Sequence, residues 1–177
     1  MRLTLAAVLV AAMAATAAPA ANEEIPTRDC RSRIESGRGP LAFPTADSVF
    51  VGPIALTALP FAATRAGLGP RREEDGRFYR KAGALVRAGR PVVLSVPERY
   101  RDRLFLHYTR TDEGVAEVRL EPCPPGMRAF SYRGRVGKVT GFNGGFSLTH
   151  RGCYPLDVRV EGGRTHRVRI AFGYPCR

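Results

Sequence analysis

The feature that most constrains the fold of this sequence is a repeated alternation of apolar and charged residues. In the segment LDVRVE at 156–161, every second residue is apolar and the residues between are charged. Successive side chains of a β-strand point to opposite faces, so the pattern predicts a strand with one buried and one solvated face. Related alternation recurs in PVVLSVP at 91–97, LFLHYT at 104–109, VAEVRLEP at 115–122 and HRVRIAFG at 166–173.

Turn-forming residues separate these segments: RAGRP at 87–91, TDEG at 111–114 and EGGR at 161–164. Their Gly, Asp and Pro supply the backbone shapes of tight turns. DSVFVGPIALTAL at 47–59 is predicted to be a strand interrupted at Gly52-Pro53 by a bend, a bulge or a sheet edge, since Pro cannot donate to a ladder. A weaker strand is predicted at 83–87. We therefore predict an all-β fold, an antiparallel β-sandwich (immunoglobulin-like or related) of about seven to nine strands.

The first twenty residues resemble a secretory signal peptide. Arg2 precedes the uncharged segment LTLAAVLVAAMAATAA at 3–18, and the small residues APA occupy 18–20. This run is shorter than the roughly 20 apolar residues of a membrane-spanning helix, and its small residues favour cleavage near Ala20–Ala21. We predict a cleaved signal helix at 1–20, secretion, and no transmembrane segment in the mature chain. An N-terminal arm at 21–46 and a single β-sandwich domain at 47–177 would follow.

The four cysteines predict disulfide bonds, because an even number in an exported chain is typical of an oxidising compartment. Spacing alone allows three pairings. We favour Cys123–Cys153, which would tie the end of one strand to the start of another, and Cys30–Cys176, which would tie the two ends of the mature chain together. A zinc site at His150 and Cys153 is not favoured, because the sequence has no CxxC motif.

The chain is strongly basic, with a formal net charge of +12. Abundant Ala, Arg, Gly and Pro are typical of GC-rich coding sequence, which explains much of the arginine excess without a function. The connection at 63–79 is the exception, because its arginines are dense and are only partly offset by the acidic run at 73–75. Consecutive carboxylates rarely converge on one ion, so we predict no calcium site there. The arginines form a candidate anion-binding patch: Arg65, Arg71, Arg72, Arg77 and Arg80.

The segment GFNGGFSLTH at 141–150 is rich in glycine. Read with a period of two, Phe142, Gly144 and Phe146 share one apolar face, which predicts a strand or bulge with Gly144 facing the interior. Asn143-Gly144 could instead form a type I′ turn. A phosphate-binding loop is not favoured, since the sequence has neither GxGxxG nor a following helix.

The sequence contains no recognised catalytic motif. No serine lies in GxSxG and no HExxH is present. Each histidine is interpreted as a surface residue: His107 opposite the apolar face of its strand, His150 before Cys153, and His166 at the start of the last strand. We therefore predict no catalytic residue, no cofactor and no metal.

Several segments, taken in order, resemble uncharacterised secreted proteins of high-GC Gram-positive bacteria. They are SVFVGPIALTAL, AGRPVVLSVP, AEVRLEPC, GGFSL before GCYPLDVRV, and RVRIAFG close to a final cysteine. The likeness covers roughly residues 45 to 176, and it lies in the order of the segments rather than in one specific motif. It implies a secreted β-sandwich with two disulfides and carries no assigned activity.

These observations favour an exported, non-enzymatic β-sandwich module that binds a partner at or outside the cell surface. One alternative is a secreted hydrolase with His107 or His166 beside a carboxylate. Another is arginine-mediated adhesion to an anionic cell-wall polymer or to lipid headgroups. The expected partner is an anionic surface polymer or another extracellular protein. Nucleic acid is not expected, because no recognition motif is present.

Overall fold

The computed structural model describes residues 24–35, 39–43, 46–69, 71–72, 74–109 and 113–176, so the predicted signal peptide lies outside the described residues. The described residues are mostly β, as predicted, and contain two short α-helices, α1 (Leu59–Ala62) and α2 (Arg65–Leu68). They form twelve strands, more than the seven to nine expected. In chain order these are β1 (Thr27–Arg28), β2 (Ser48–Val51), β3 (Ile54–Thr57), β4 (Phe78–Lys81), β5 (Ala84–Arg87), β6 (Val92–Ser95), β7 (Leu104–Leu106), β8 (Glu117–Leu120), β9 (Val139–Phe142), β10 (Gly145–Leu148), β11 (Gly152–Val160) and β12 (Thr165–Phe172).

The strands form three sheets. A five-stranded sheet has the order β1-β8-β6-β11-β12, a four-stranded sheet β2-β3-β5-β9, and a three-stranded sheet β4-β10-β7. All ladders are antiparallel except that between β1 and β8. Within the described residues, no helix is long and apolar enough to cross a membrane.

One hydrophobic core joins the three sheets. The apolar positions of the alternating pattern are the ones that enter the core. Leu94, Val118 and Val158, for example, lie side by side in the five-stranded sheet and are fully buried. Leu56 and Val86 enter the same core from the four-stranded sheet. The apolar face of each strand stabilises the fold because its side chains are removed from water and packed closely in this core.

Tight turns behave partly as predicted. Gly52-Pro53 is the two-residue turn of the β2–β3 hairpin, with Val51 opposite Ile54 and Gly52 at a φ of 56°. The turn at 161–164 joins β11 to β12, with Gly162 at a φ of 64°. That left-handed backbone suits glycine, which carries no Cβ. The turn at 87–91 instead joins β5 and β6, which belong to different sheets.

The glycine-rich segment is a corner between two sheets. The ladder of β4 with β10 continues as the ladder of β5 with β9, and between them the Ala82 amide donates to the Gly144 carbonyl at 3.0 Å. Gly144 is buried, and a Cβ added there would overlap the ring of Tyr108. The Tyr108 hydroxyl donates to the Ala82 carbonyl at 2.8 Å. Gly144 therefore faces the interior, as predicted, but it lies between two strands and not in a type I′ hairpin.

The disulfide pairing predicted from the sequence is wrong. The bonds are Cys30–Cys123 and Cys153–Cys176. β1 and β8 run parallel, so Cys30 and Cys123 leave the same end of the sheet and their Cα atoms lie 4.9 Å apart. Cys153 is the second residue of β11 and lies opposite Ala171 near the end of β12, which brings it to Cys176. Two disulfides indicate an oxidising, extracellular environment.

The described part of the predicted N-terminal arm is attached to the sheets. β1 pairs with β8, and Ile34 forms a bridge with Gly141 in β9. An added Cβ at Gly141 would lie 2.6 Å from the Ile34 side chain, so the glycine allows this close approach. Together with the Cys30–Cys123 bond, these contacts fix the segment that carries Arg33 and Glu35.

Candidate anion-binding site

The charged connection at 63–79 ends in a hairpin at 71–78. Arg71 and Phe78 form a bridge, and the Arg72 amide donates to the Arg77 carbonyl at 2.8 Å. At its tip, the Asp75 carboxylate accepts a hydrogen bond from the Arg77 amide at 2.9 Å. The hairpin leads directly into β4, so its arginines are positioned by the three-stranded sheet.

Two arginines contact the ring of Phe78, which is 7% exposed. The guanidinium carbon of Arg71 lies 5.0 Å from the ring centroid and that of Arg151 lies 4.8 Å from it. Arg71 also donates from Nη2 to the Thr149 carbonyl at 3.2 Å. We call Arg71, Phe78 and Arg151 the arginine edge. β10 pairs with β4 and has Leu148 opposite Phe78, which brings Arg151 toward the hairpin.

The two cations of the arginine edge are not neutralised by any acidic side chain that the structure describes. Among the described residues, neither Arg71 nor Arg151 lies within ion-pair distance of a carboxylate. Nε of Arg151 is buried and has no hydrogen-bond partner within the described part of the chain. The Arg151 stem packs at Gly173, where an added Cβ would lie 2.8 Å from Cδ. A buried donor without a partner costs stability, and because this Nε is buried it does not itself face a ligand in solvent.

The other two arginines of the hairpin cover the outer face of the three-stranded sheet. Arg72 lies over Tyr79 at 4.3 Å and Arg77 lies over Phe105 at 3.8 Å. These contacts hold guanidinium groups flat against aromatic faces, a favourable cation–π geometry. The exposed Glu74 and Asp75 at the hairpin tip offset part of this charge, as the sequence indicated.

The structure separates the remaining members of the predicted patch from the hairpin. Arg80 points to the inner side of β4 and donates to the carbonyls of Ala58, at 2.7 Å, and Gly67, at 2.9 Å. Arg80 therefore ties the residue that precedes α1 to α2. Arg65 is exposed in α2. Arg151 was missed, because its proximity to Arg71 comes from strand pairing and leaves no local signal in the sequence.

Two arginines of the five-stranded sheet differ from those of the arginine edge, because carboxylates neutralise them. Arg119 donates to both oxygens of Glu161, at 3.0 and 2.8 Å, and Arg167 makes a two-pronged contact with Asp157 at 2.6 and 2.7 Å. The hydrogen bond to Glu161 raises the pKa of Arg119, and that to Asp157 raises the pKa of Arg167. The charges of these two arginines are therefore less available to an anionic ligand than those of the arginine edge.

His107 is half-buried, so the prediction that it is a surface residue is wrong. Its Nε2 lies 2.7 Å from Oγ of Ser147, and its ring packs edge-on against Tyr79 at 5.5 Å. A Ser–His contact can activate a nucleophile. Ser147 is only 1% exposed, however, so a substrate cannot reach its hydroxyl in this conformation. The pair is best described as a buried serine whose hydrogen bond is satisfied by histidine.

The other two histidines are exposed. His150 shares a 3.0 Å contact between its Nδ1 and Oγ1 of Thr149, and the ring of His166 lies beside Gly52. Within the ranges that the structure describes, no group of three or more His, Cys, Asp or Glu side chains is arranged to hold a metal ion.

Comparison of the chain with protein-family models, with curated proteins and with solved structures gives no match. The arginine edge is therefore interpreted through its own chemistry.

Proposed function

We propose that this chain is an exported, non-enzymatic module with an immunoglobulin-like or related β-sandwich fold, which binds an anionic polymer of the cell surface through the arginine edge. The single observation that carries the proposal is the placement of Arg71 and Arg151 against one ring, without a carboxylate of the described chain to neutralise either.

The chemistry of guanidinium groups favours phosphate or carboxylate ligands. Each group presents a planar fork of N–H donors that matches two oxygens of one anion. Contact with Phe78 restricts the motion of both side chains, so less conformational freedom is lost when a ligand binds.

A polymer suits this surface better than a single small anion. Arg72 and Arg77 add two more guanidinium groups to the same hairpin, on the face of the sheet opposite Phe78, where they lie over Tyr79 and Phe105. Repeated anionic groups on one chain could occupy several guanidinium groups at once, and linked contacts raise the overall affinity. The net charge of +12 adds long-range attraction at low salt.

Export and the sandwich arrangement are supported by two further observations. The signal-like segment at 1–20 agrees with the two disulfides, which form outside the reducing cytosol. Three sheets that share one core are consistent with sheets packed face to face, with loops and hairpins at their ends.

The test is retention on immobilised polyglycerol phosphate, eluted with a salt gradient. The variant R71S/R151S removes two positive charges from the arginine edge. The control R119S/R167S removes two that are paired with Glu161 and Asp157. We expect the first variant to elute at clearly lower salt than the control. Equal elution of the two variants would show that retention follows net charge alone and would contradict the proposal.

A further inference from the structure

The segment GMRAFSYRGR at 126–135, which we call the basic loop, exposes an unusual aromatic side chain. Phe130 is 65% exposed, more than any other large apolar side chain among the described residues. Met127 in the same loop is 40% exposed. Exposing a large apolar ring to water is unfavourable, so the loop must be held in this conformation by other contacts.

A buried carboxylate holds the loop in shape. Oε2 of Glu35 accepts hydrogen bonds from the amides of Phe130, at 2.8 Å, and Ser131, at 2.7 Å, and from the Ser131 hydroxyl at 3.0 Å. Its other oxygen pairs with Arg33 at 2.8 Å, and the two side chains are 4% and 8% exposed. Burial raises the pKa of Glu35, but the hydrogen bonds from Ser131, Phe130 and Arg33 together lower it below its ordinary value.

Further contacts close the loop on itself. Arg128 and Arg135 form a β-bridge, and the Val136 amide donates to the Met127 carbonyl at 2.7 Å. Nη1 of Arg135 donates to the Gly126 carbonyl at 2.7 Å, and the Tyr132 hydroxyl donates to the Arg135 carbonyl at 2.8 Å. The Cys30–Cys123 disulfide anchors the chain shortly before the loop. Phe130 is therefore presented on a fixed scaffold.

The exposed surface of the loop is cationic. Arg128, Arg133 and Arg135 are all exposed, and within the described residues none lies at ion-pair distance from a carboxylate. Glu35, the acid bound to the loop, is neutralised by Arg33 beneath it, and the Arg33 guanidinium lies 4.6 Å from the Phe130 ring centroid. The loop thus presents an aromatic ring among cations.

We propose that the basic loop docks on an anionic phospholipid surface, with Phe130 inserted at the headgroup–acyl boundary and Arg128 and Arg133 on lipid phosphates. Charge complementarity selects an anionic surface, since each arginine near such a surface adds to binding. A soluble polyanion would satisfy the arginines but would leave the exposed ring in water. A bilayer offers phosphate and an apolar phase within a few ångströms of each other. This site is separate from the arginine edge and does not rest on its function.

The sequence allows a direct test of insertion, because the chain contains no tryptophan. F130W introduces a single tryptophan at the proposed site. F50W introduces one on β2, at a residue that is 46% exposed and lies at the opposite edge of the four-stranded sheet from β9. Both are prepared from protein recovered from the medium, so they share one N-terminus. Vesicles of phosphatidylcholine with phosphatidylglycerol should shift the F130W emission to the blue, and pure phosphatidylcholine should not. F50W should stay unshifted with both.

Vesicle sedimentation measures the contribution of each group. We expect R128S/R133S to weaken partitioning to phosphatidylglycerol vesicles by about fivefold for each arginine removed. F130S should weaken it without a change of charge. The matched controls R159S/R164S and F50S should change it much less, and thermal melting verifies that every variant is folded.

Three outcomes would overturn the proposal. The first is failure of the unaltered chain to sediment with phosphatidylglycerol vesicles at low salt. The second is an F130W emission that stays unshifted while the protein sediments, which would show adhesion by charge alone. The third is an equal shift with soluble polyglycerol phosphate or with an acidic protein, which would identify a different class of partner. None of these outcomes depends on the elution of R71S/R151S.

Discussion

The hairpin at 71–78 and the basic loop at 126–135 use the same residue types in opposite ways. In the hairpin the aromatic ring is buried in the sheet and the guanidinium groups lie against it, as with Phe78 and Arg71. At the basic loop the order is reversed: Arg33 lies beneath the loop in a buried ion pair with Glu35, and the ring of Phe130 is exposed. The number of arginines alone therefore does not describe the binding properties of a surface. What each arginine can bind depends on whether its guanidinium group lies against an aromatic ring or is paired with a carboxylate.

The largest expected effect comes from breaking the buried ion pair of the basic loop. Glu35→Ala leaves Arg33 without its carboxylate and removes the acceptor of the Phe130 and Ser131 amides. We expect the free energy of unfolding in urea to fall by about 3 kcal/mol, because an uncompensated buried charge is costly. The double variant R33M/E35L should lose less than E35A alone. If E35A unfolds at the same urea concentration as the unaltered chain, the loop is not held by this carboxylate.

A second effect concerns the sheet that carries the hairpin. Gly144→Val places a branched side chain against the Tyr108 ring at the corner between β9 and β10. We expect destabilisation of about 1 to 3 kcal/mol by overpacking, measured by thermal and urea unfolding. In a Tyr108→Leu background the same change should cost less, since the ring that it meets is gone. An unchanged melting temperature for G144V in the unaltered background would refute close packing at the corner.

Lowering the pH should destabilise the basic loop before it destabilises the hairpin at 71–78. The pKa of Glu35 is lowered on folding from its ordinary value of 4.5, so its contribution to stability is present above that value. The contribution is lost as the pH falls through the lower pKa of the folded state. Hydrogen exchange should therefore show the Phe130 and Ser131 amides losing protection in acid before the Arg72 amide does. E35Q should abolish this difference. If both regions of the unaltered chain lose protection at the same pH, the Glu35 carboxylate does not hold the basic loop.

The smallest expected effect is on the outer face of the hairpin. Removing the contacts of Arg72 with Tyr79 and of Arg77 with Phe105 by R72S/R77S should cost about 0.5 to 1 kcal/mol per contact, the usual range at exposed sites. R65S, on α2, should stay within about 0.5 kcal/mol of the unaltered chain. Urea unfolding of the three proteins makes the comparison, and equal stability of all three would show that the stacking is incidental.

Most strands after residue 46 could be predicted from the sequence, but β1 and β4 and the distribution of strands among sheets could not, since β1 lies in the predicted arm and β4 begins in the predicted charged connection. Alternation located β6, β8, β11 and β12, because a half-buried strand imposes a period of two on its own residues. The sequence indicated that Gly144 lies on an apolar face, but it did not indicate that the chain turns there from one sheet to another. The sequence does not indicate that Tyr108 packs against it, since that contact depends on the pairing of distant strands.

The disulfides and the candidate sites could not be predicted fully for the same reason: they depend on contacts between residues that are distant in the sequence. The predicted cysteine pairing followed the order of elements along the chain, while the true pairing follows strand register, as when β11 and β12 place Cys153 near Cys176. Arg71 was found from local arginine density, whereas Arg151 reaches it through the pairing of β4 with β10. Glu35 was overlooked in the N-terminal arm, because nothing near it in sequence shows that the basic loop closes over it.

The most direct test of the arginine edge is an NMR titration that follows the Nε–Hε signals of the arginines while polyglycerol phosphate is added. Arg119 and Arg167, already paired with carboxylates, serve as internal references in the same sample. If the edge binds the polymer, the signals of Arg71 and Arg151 shift in a saturable manner and those of the references move little. Small, uniform shifts of all four signals would contradict the account, since they would show that the polymer senses only the net charge of the protein.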